Sequence, residues 1–187
     1  LDRNTAHVTD SGAGTVVIDV DLDHIVGIGA DSILHPMRGS YIHIRKSYVD
    51  ALDKQIRTAC ITGSRVYLRY IMKSENGERF RTPDVYSENV LEYIYTVTDF
   101  FANRYNGGKN GSVCGLIKID DADHHNDIGT MSVDEYAKLY TLYLTVIGNA
   151  ARRVNSGLDI VIPLSDRNDY VSGYYEDKAI RGSVLLE

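Results

Sequence analysis

Residues 111–135, GSVCGLIKIDDADHHNDIGTMSVDE, decide the fold. Residues 113–119 are apolar and partly β-branched, and a glycine precedes them, which predicts a short strand buried on both faces. Asp120, Asp121, Asp123, His124, His125, Asn126 and Asp127 crowd the positions that follow. Ser132 then opens a helix. Its hydroxyl is placed to accept from the amide of Glu135, and the Glu135 carboxylate to reach back to the amide of Ser132, the reciprocal pair of a capping box. The stretch therefore reads as a strand, a loop loaded with carboxylates and imidazoles, and a helix. In parallel α/β folds, loops at the outgoing ends of strands are where ligand chemistry collects.

Upstream, residues 12–23 (GAGTVVIDVDLD) predict a turn and a strand with Val17, Asp19, Asp21 and Asp23 on one face and Ile18, Val20 and Leu22 on the other. The alternative is a strand that has ended by Asp21, with solvated acids beyond it. Residues 24–44, broken by glycines and Pro36, read as a long loop with room for a small hairpin. Val49, Leu52, Ile56 and Ala59/Cys60 keep helical spacing over residues 47–61, with Ser47 to cap the start and Gly63 the end. Residues 66–72 (VYLRYIM) are a β-branched and aromatic strand. Thr82-Pro83-Asp84 suits a helix start, and Val90, Ile94, Val97 and Phe101 carry its apolar stripe to Tyr105, where Asn106-Gly107-Gly108 stops it.

Downstream of the central stretch, an apolar stripe from Val133 to Val154 predicts a long helix ended by Asn155-Ser156-Gly157. Residues 159–164 (DIVIPL) form the next strand, with Pro163 at its outgoing end, since proline cannot donate to a ladder. A tyrosine-bearing polar loop (165–177) and a last helical segment follow.

Strands alternating with helices imply a parallel sheet with right-handed crossovers. Val66, Val113 and Ile160 are equally spaced, although no residue-level repeat accompanies the period. No GxGxxG or GxxxxGK[ST] follows any strand, which removes the phosphate-cradling signatures of nucleotide-binding sheets. Polar and charged residues instead stand at every outgoing strand end: Asp19 and Asp21, Arg69 and Lys73, Lys118 and Asp120, Ser165 and Asp166. A cleft assembled from several strand ends is how a (β/α)8 barrel builds a site, and a whole barrel takes about 250 residues. The expectation is an α/β fold of parallel βα units forming about half of a TIM barrel. Residues 1–187 would be a single domain, a segment of a larger barrel; the opening Leu1 in place of Met agrees with that. The competing architecture is an open flavodoxin-like sheet bearing a small-molecule enzyme, in which the strand order would reverse.

Composition narrows the function classes. A 43% hydrophobic and 25% charged chain can bury a core and is neither a disordered nor a membrane-embedded type. A net charge of −6 without any Lys/Arg cluster offers no surface for a phosphate backbone, so nucleic acid is not an expected partner. No apolar run reaches membrane-spanning length. Cys60 and Cys114 have no zinc-site or disulfide-framework spacing. Asp121, Asp123, His125 and Asp127 alternate like calcium-loop ligands, but the required Gly and the closing Glu are missing, so neither a metal nor another cofactor is expected.

The segments TVVIDVDLDHIVGIG, GSYIHIRKSYVDALDKQI, RVYLRYIM, FANRYN, VCGLIKIDDAD, SVDEYAKLYTLYLTVIGNAARRVN and DIVIPLSDRND, in that order, resemble a group of bacterial barrels similar to clan A glycoside hydrolases. The resemblance implies a carbohydrate partner and a secreted or cell-surface protein. In that clan the fourth strand ends in Asn-Glu, the Glu being acid/base, and a Glu on the seventh strand is the nucleophile. Alignment at Gly115 puts Asp120-Asp121 in the Asn-Glu place, which makes Asp121, with Asp120, the catalytic candidate. Aspartate is one methylene shorter, and glycoside hydrolysis needs a second carboxyl at a defined separation, which no residue here supplies.

The substrate-binding candidates are Asp19, Asp21, Arg69, Lys118, His124, His125, Asp166 and Tyr174. Arg69 and Lys118 on strands call for partners, because a buried cation is costly unless paired. Asp19, Asp21 or Asp120 are the expected ones; the bland alternative is that both cations face solvent. With 14 Tyr and no Trp, tyrosines such as Tyr170, Tyr174 and Tyr175 are either sugar-stacking surfaces or ordinary packing. Two functions follow: a glycoside-hydrolase-like carbohydrate-active domain, or a non-catalytic barrel that binds glycan or protein. Half a barrel would also leave sheet edges and apolar surface open, so a homo-oligomer or a missing C-terminal half is expected to cover them.

Overall fold

The computed structural model describes residues 14–72, 87–117 and 132–161. In chain order the elements are β1 (Thr15–Asp21), β2 (Ser32–Met37), β3 (Ser40–Arg45), α1 (Lys46–Ile61), β4 (Arg65–Ile71), α2 (Glu88–Arg104), β5 (Gly115–Ile117), α3 (Val133–Val154) and β6 (Asp159–Val161). β1, β4, β5 and β6 form one four-stranded sheet in that order, every pair parallel. Neighbours in the sheet are thus successive βα units. The order never reverses, so the flavodoxin-like alternative is wrong and the half-barrel reading stands.

Alternation along β1 separates the faces. Val16, Ile18 and Val20 are buried, whereas Thr15, Val17 and Asp19 are exposed. Register places Val66, Leu68 and Tyr70 of β4 beside the buried set. Helices cover that face through Val49, Leu52 and Ile56 of α1, Ile94, Val97 and Phe101 of α2, and Tyr143 and Ile147 of α3. Phe101 stacks on Tyr105 at 5.8 Å and tilts against Tyr70 at 6.4 Å. Each such fully buried side chain contributes roughly 1.5–3 kcal/mol.

The helix ends explain where the chain turns. α1 ends in a Schellman motif: the amide of Gly63 (φ +75°) donates to Cys60 O at 3.0 Å and that of Ser64 to Ala59 O at 3.1 Å. The predicted Ser47 cap is wrong. α1 begins one residue earlier, directly after extended Arg45, and has no side-chain cap, because β3 runs straight into the helix. The capping box at α3 is present as expected, with Ser132 and Glu135 bonded in both directions. α2 starts at Glu88 after Ser87 within the described residues; the Thr82-Pro83-Asp84 start lies outside them.

The segment read as a long loop with room for a small hairpin does hold one, β2–β3, turned at Gly39 (φ +71°). Pro36 sits in β2, whose other edge lacks a strand partner among the described residues, which is where a residue without an N–H is tolerated. The chain leaving β1 pairs with the other side of β3, Arg45 N donating to Ile25 O at 2.8 Å and Gly27 N to His43 O at 3.0 Å. The hairpin lies against α2, with the His35 ring edge-on to Phe100 at 5.4 Å. α1 is tied to α2 by a buried carboxylate. Asp53 accepts from Arg104 at 2.9 and 2.6 Å and from the Tyr105 hydroxyl at 2.9 Å.

Candidate functional site

The sheet face opposite the helices carries polar side chains in rows set by register. At the incoming ends the row is Val17, Tyr67, Gly115 and Asp159. The Tyr67 hydroxyl donates to Asp159 Oδ2 at 2.9 Å, and Arg65 donates to the same oxygen at 3.1 Å while its guanidinium lies 5.5 Å above the Tyr67 ring. Gly115 stands between them in the row. Having no side chain, it lets Tyr67 reach across β5 to β6, and a Cβ there would come within 2.4 Å of Asp159 O. Burial, followed by the hydrogen bond to Asp159, raises the Tyr67 hydroxyl pKa, so it stays a proton donor at neutral pH.

One row further on, Asp19 and Arg69 face each other by register and form a two-pronged pair, Nε to Oδ1 at 2.7 Å and Nη2 to Oδ2 at 3.0 Å. Their side chains are 42% and 39% exposed, so the pair is open to a ligand as well as to water. Of the expected partners for Arg69, Asp19 is the one on the neighbouring strand at the same height. This is the two-pronged geometry that guanidinium and carboxylate favour.

Asp21 ends β1 at the rim. It holds His24, Nδ1 lying 2.9 Å from Oδ2, and accepts from the amide of Asp23 at 3.1 Å. Its own amide donates to the Tyr48 hydroxyl oxygen at 2.7 Å, and the Tyr93 hydroxyl donates to the next carbonyl, Leu22 O. Burial pushes both tyrosine pKa values up. The bend after β1 is therefore fixed from α1 and α2, and His24, 60% exposed, projects from it.

Of the expected site residues, Asp19, Arg69 and Asp21 are brought together on this face and its rim. Asp120, Asp121, Lys118, His124, His125, Asp166 and Tyr174 lie outside the described residues. Arg65, Tyr67, Asp159 and His24 were missed. Period-two alternation from Arg69 would have found Tyr67 and Arg65, whereas Asp159, so far off in sequence, carries no local signal. Among the described residues no group of three His, Cys, Asp or Glu could hold a metal ion, and no helix is long and apolar enough to cross a membrane.

Comparison with known proteins bears on this geometry. A family model described as a family of unknown function, DUF5722, matches residues 2–180. The chain belongs to the DUF5722 family. No curated protein matches this DUF5722 chain. Solved structures do. The endoglucanase Cel5A from the hyperthermophilic Thermotoga maritima is 14% identical with a TM-score of 0.53, over 95% of this chain and 50% of that one. A GH5-4 broad specificity endoglucanase from Clostridium acetobutylicum is 13% identical with a TM-score of 0.56, over 93% and 52%. A GH5_18 protein from Bifidobacterium longum, in complex with Manb1-4GlcNAc, is 11% identical with a TM-score of 0.57, over 92% and 39%. At such identities the likeness shows the fold, that of a glycoside hydrolase barrel, and the DUF5722 chain spans about half the length or less of these structures.

Proposed function

We propose that this DUF5722 chain is part of a carbohydrate-active barrel whose glycan lies across the outgoing strand ends, beside Asp19, Arg69 and Asp21. The observation that carries the reading is the exposed Asp19–Arg69 pair, in the outgoing halves of β1 and β4, on the face opposite the described helices. Sugar hydroxyls both donate and accept, so a carboxylate and a guanidinium side by side can bind adjacent hydroxyls. Asp21 and His24 extend that polar surface at the rim. Solved structures with the same fold support the ligand class, one being described in complex with cellotriose and another with a mannotriose substrate.

In this reading Asp121 is the acid/base, with Asp120 beside it, and Lys118, His124, His125, Asp166 and Tyr174 contact the sugar. The catalytic partner would come from outside this chain. A second reading, glycan binding without turnover, draws on Asp120-Asp121 standing where the clan has Asn-Glu. Assaying the complete gene product for binding and for reducing-sugar release on a glycan panel separates them. Turnover lost in Asp121→Asn with binding retained supports catalysis; binding without turnover in either form supports the second reading. Neither binding nor turnover on any glycan would overturn both.

A further inference from the structure

α2 carries a second polar site, on the side turned away from the sheet. A cleft of about 670 Å³ opens there between the hairpin, α2 and α3. That volume lies within the range of about 300–1,000 Å³ typical of small-molecule sites. The site is distinct from the open face, from which the helix layer separates it. Its apolar wall comes from Met37, Leu91 and Val146.

Its charges are unequally matched. Asp99 has both oxygens engaged, Oδ2 by His35 Nε2 at 3.0 Å and Oδ1 by Arg153. Glu88 meets Arg38 at 3.4 Å in the open. Glu92 lines the same cleft, and its Oε1 is buried with no hydrogen-bond partner. It also follows Glu88 by one helical turn, and like charges at that spacing repel. A carboxylate oxygen hidden from water and without a donor is unfavourable unless something supplies one.

We propose that this cleft binds a small organic ammonium, whose N–H donors meet Glu92 and whose hydrocarbon body lies on Leu91 and Val146. A cation fits better than a neutral alcohol because the unmatched group is an acid and the cleft's arginines already have acidic partners. Tyr95 lines the same cleft, and an aromatic ring is a favourable neighbour for an ammonium.

The test is calorimetric titration of the full chain with cyclohexylammonium, compared with cyclohexanol as the uncharged analogue. The expected result is saturable binding of the amine, at least about tenfold weaker binding of the alcohol, and a similar loss for Glu92→Gln. Amide shifts on titration should cluster on α2 near Glu92 and Tyr95 and spare β1. Leu91→Trp, which fills the cleft without touching the carboxylate, should abolish binding in a protein whose circular dichroism is unaltered. No saturable binding of the amine to the wild-type chain, equal binding of the alcohol, or undiminished affinity in Glu92→Gln would overturn the proposal. Because the probe is not a sugar and the readout lies on α2, failure here leaves the sugar-binding reading untouched.

Discussion

Two ion pairs of similar appearance have opposite roles. Asp19–Arg69 is exposed on both sides, and such pairs contribute about 0–1 kcal/mol. Arg69→Met should therefore alter stability by less than about 1 kcal/mol in urea unfolding, while weakening glycan binding by about tenfold, on the order of 1.4 kcal/mol. Asp53 is different, its side chain being 7% exposed. Burial works against its charge, but hydrogen bonds from Arg104 and Tyr105 outweigh that and hold its pKa below the usual aspartate value. A depressed carboxyl pKa contributes stability that is complete above the unfolded-state value and is lost as pH falls through the folded one. Stability of the wild-type chain should thus decline below about pH 4. Asp53→Ala should cost about 3 kcal/mol near neutral pH and show a shallower acid limb. The first pair was legible in sequence because alternation on β1 and the oddity of a strand arginine point at each other. The second was not, since Asp53 and Arg104 each look like ordinary charges on a helix surface until two helices are packed together.

At the scale of elements, the helices were legible from their apolar stripes and terminating glycines, and α3 from its capping box. The hairpin was harder. β2 is half-exposed along its length, with Leu34 56% exposed, and Pro36 breaks the alternation that marks a strand. What orders it is tertiary: β3 pairs on both sides, and His35 seats on Phe100 and Asp99. Gly115 is a close approach between elements: a Cβ there would lie 2.4 Å from Asp159 O. Gly115→Ala would bring a methyl against Asp159 O, spread β5 from β6, and obstruct the path from Tyr67 to Asp159. A loss of about 1–3 kcal/mol is expected, read as a lower denaturation midpoint; an unchanged midpoint would mean that β5 and β6 are not packed as described.

Among the described residues, the four-stranded sheet is parallel with its strands in sequential order, helices on one face and polar side chains on the other. The parallel βα order was legible from the alternation of strands and helices and the regular spacing of the strands. Neither revealed the row joining Tyr67 to Asp159, because that row exists only once β4, β5 and β6 lie side by side. Among the described residues β1 and β6 are the outer strands of this sheet. Unpaired edges of that kind favour association, so the isolated chain should self-associate in light scattering, and a concentration-independent monomer would contradict that. The central claim, that the outgoing strand ends receive sugar, is tested most directly by an amide-resolved NMR titration with cellotriose and mannotriose. The account predicts saturable shifts on β1 around Asp19 and Asp21 and on β4 around Arg69, lost in Arg69→Met. Saturable shifts confined to the helix side, or none with either sugar, would contradict it.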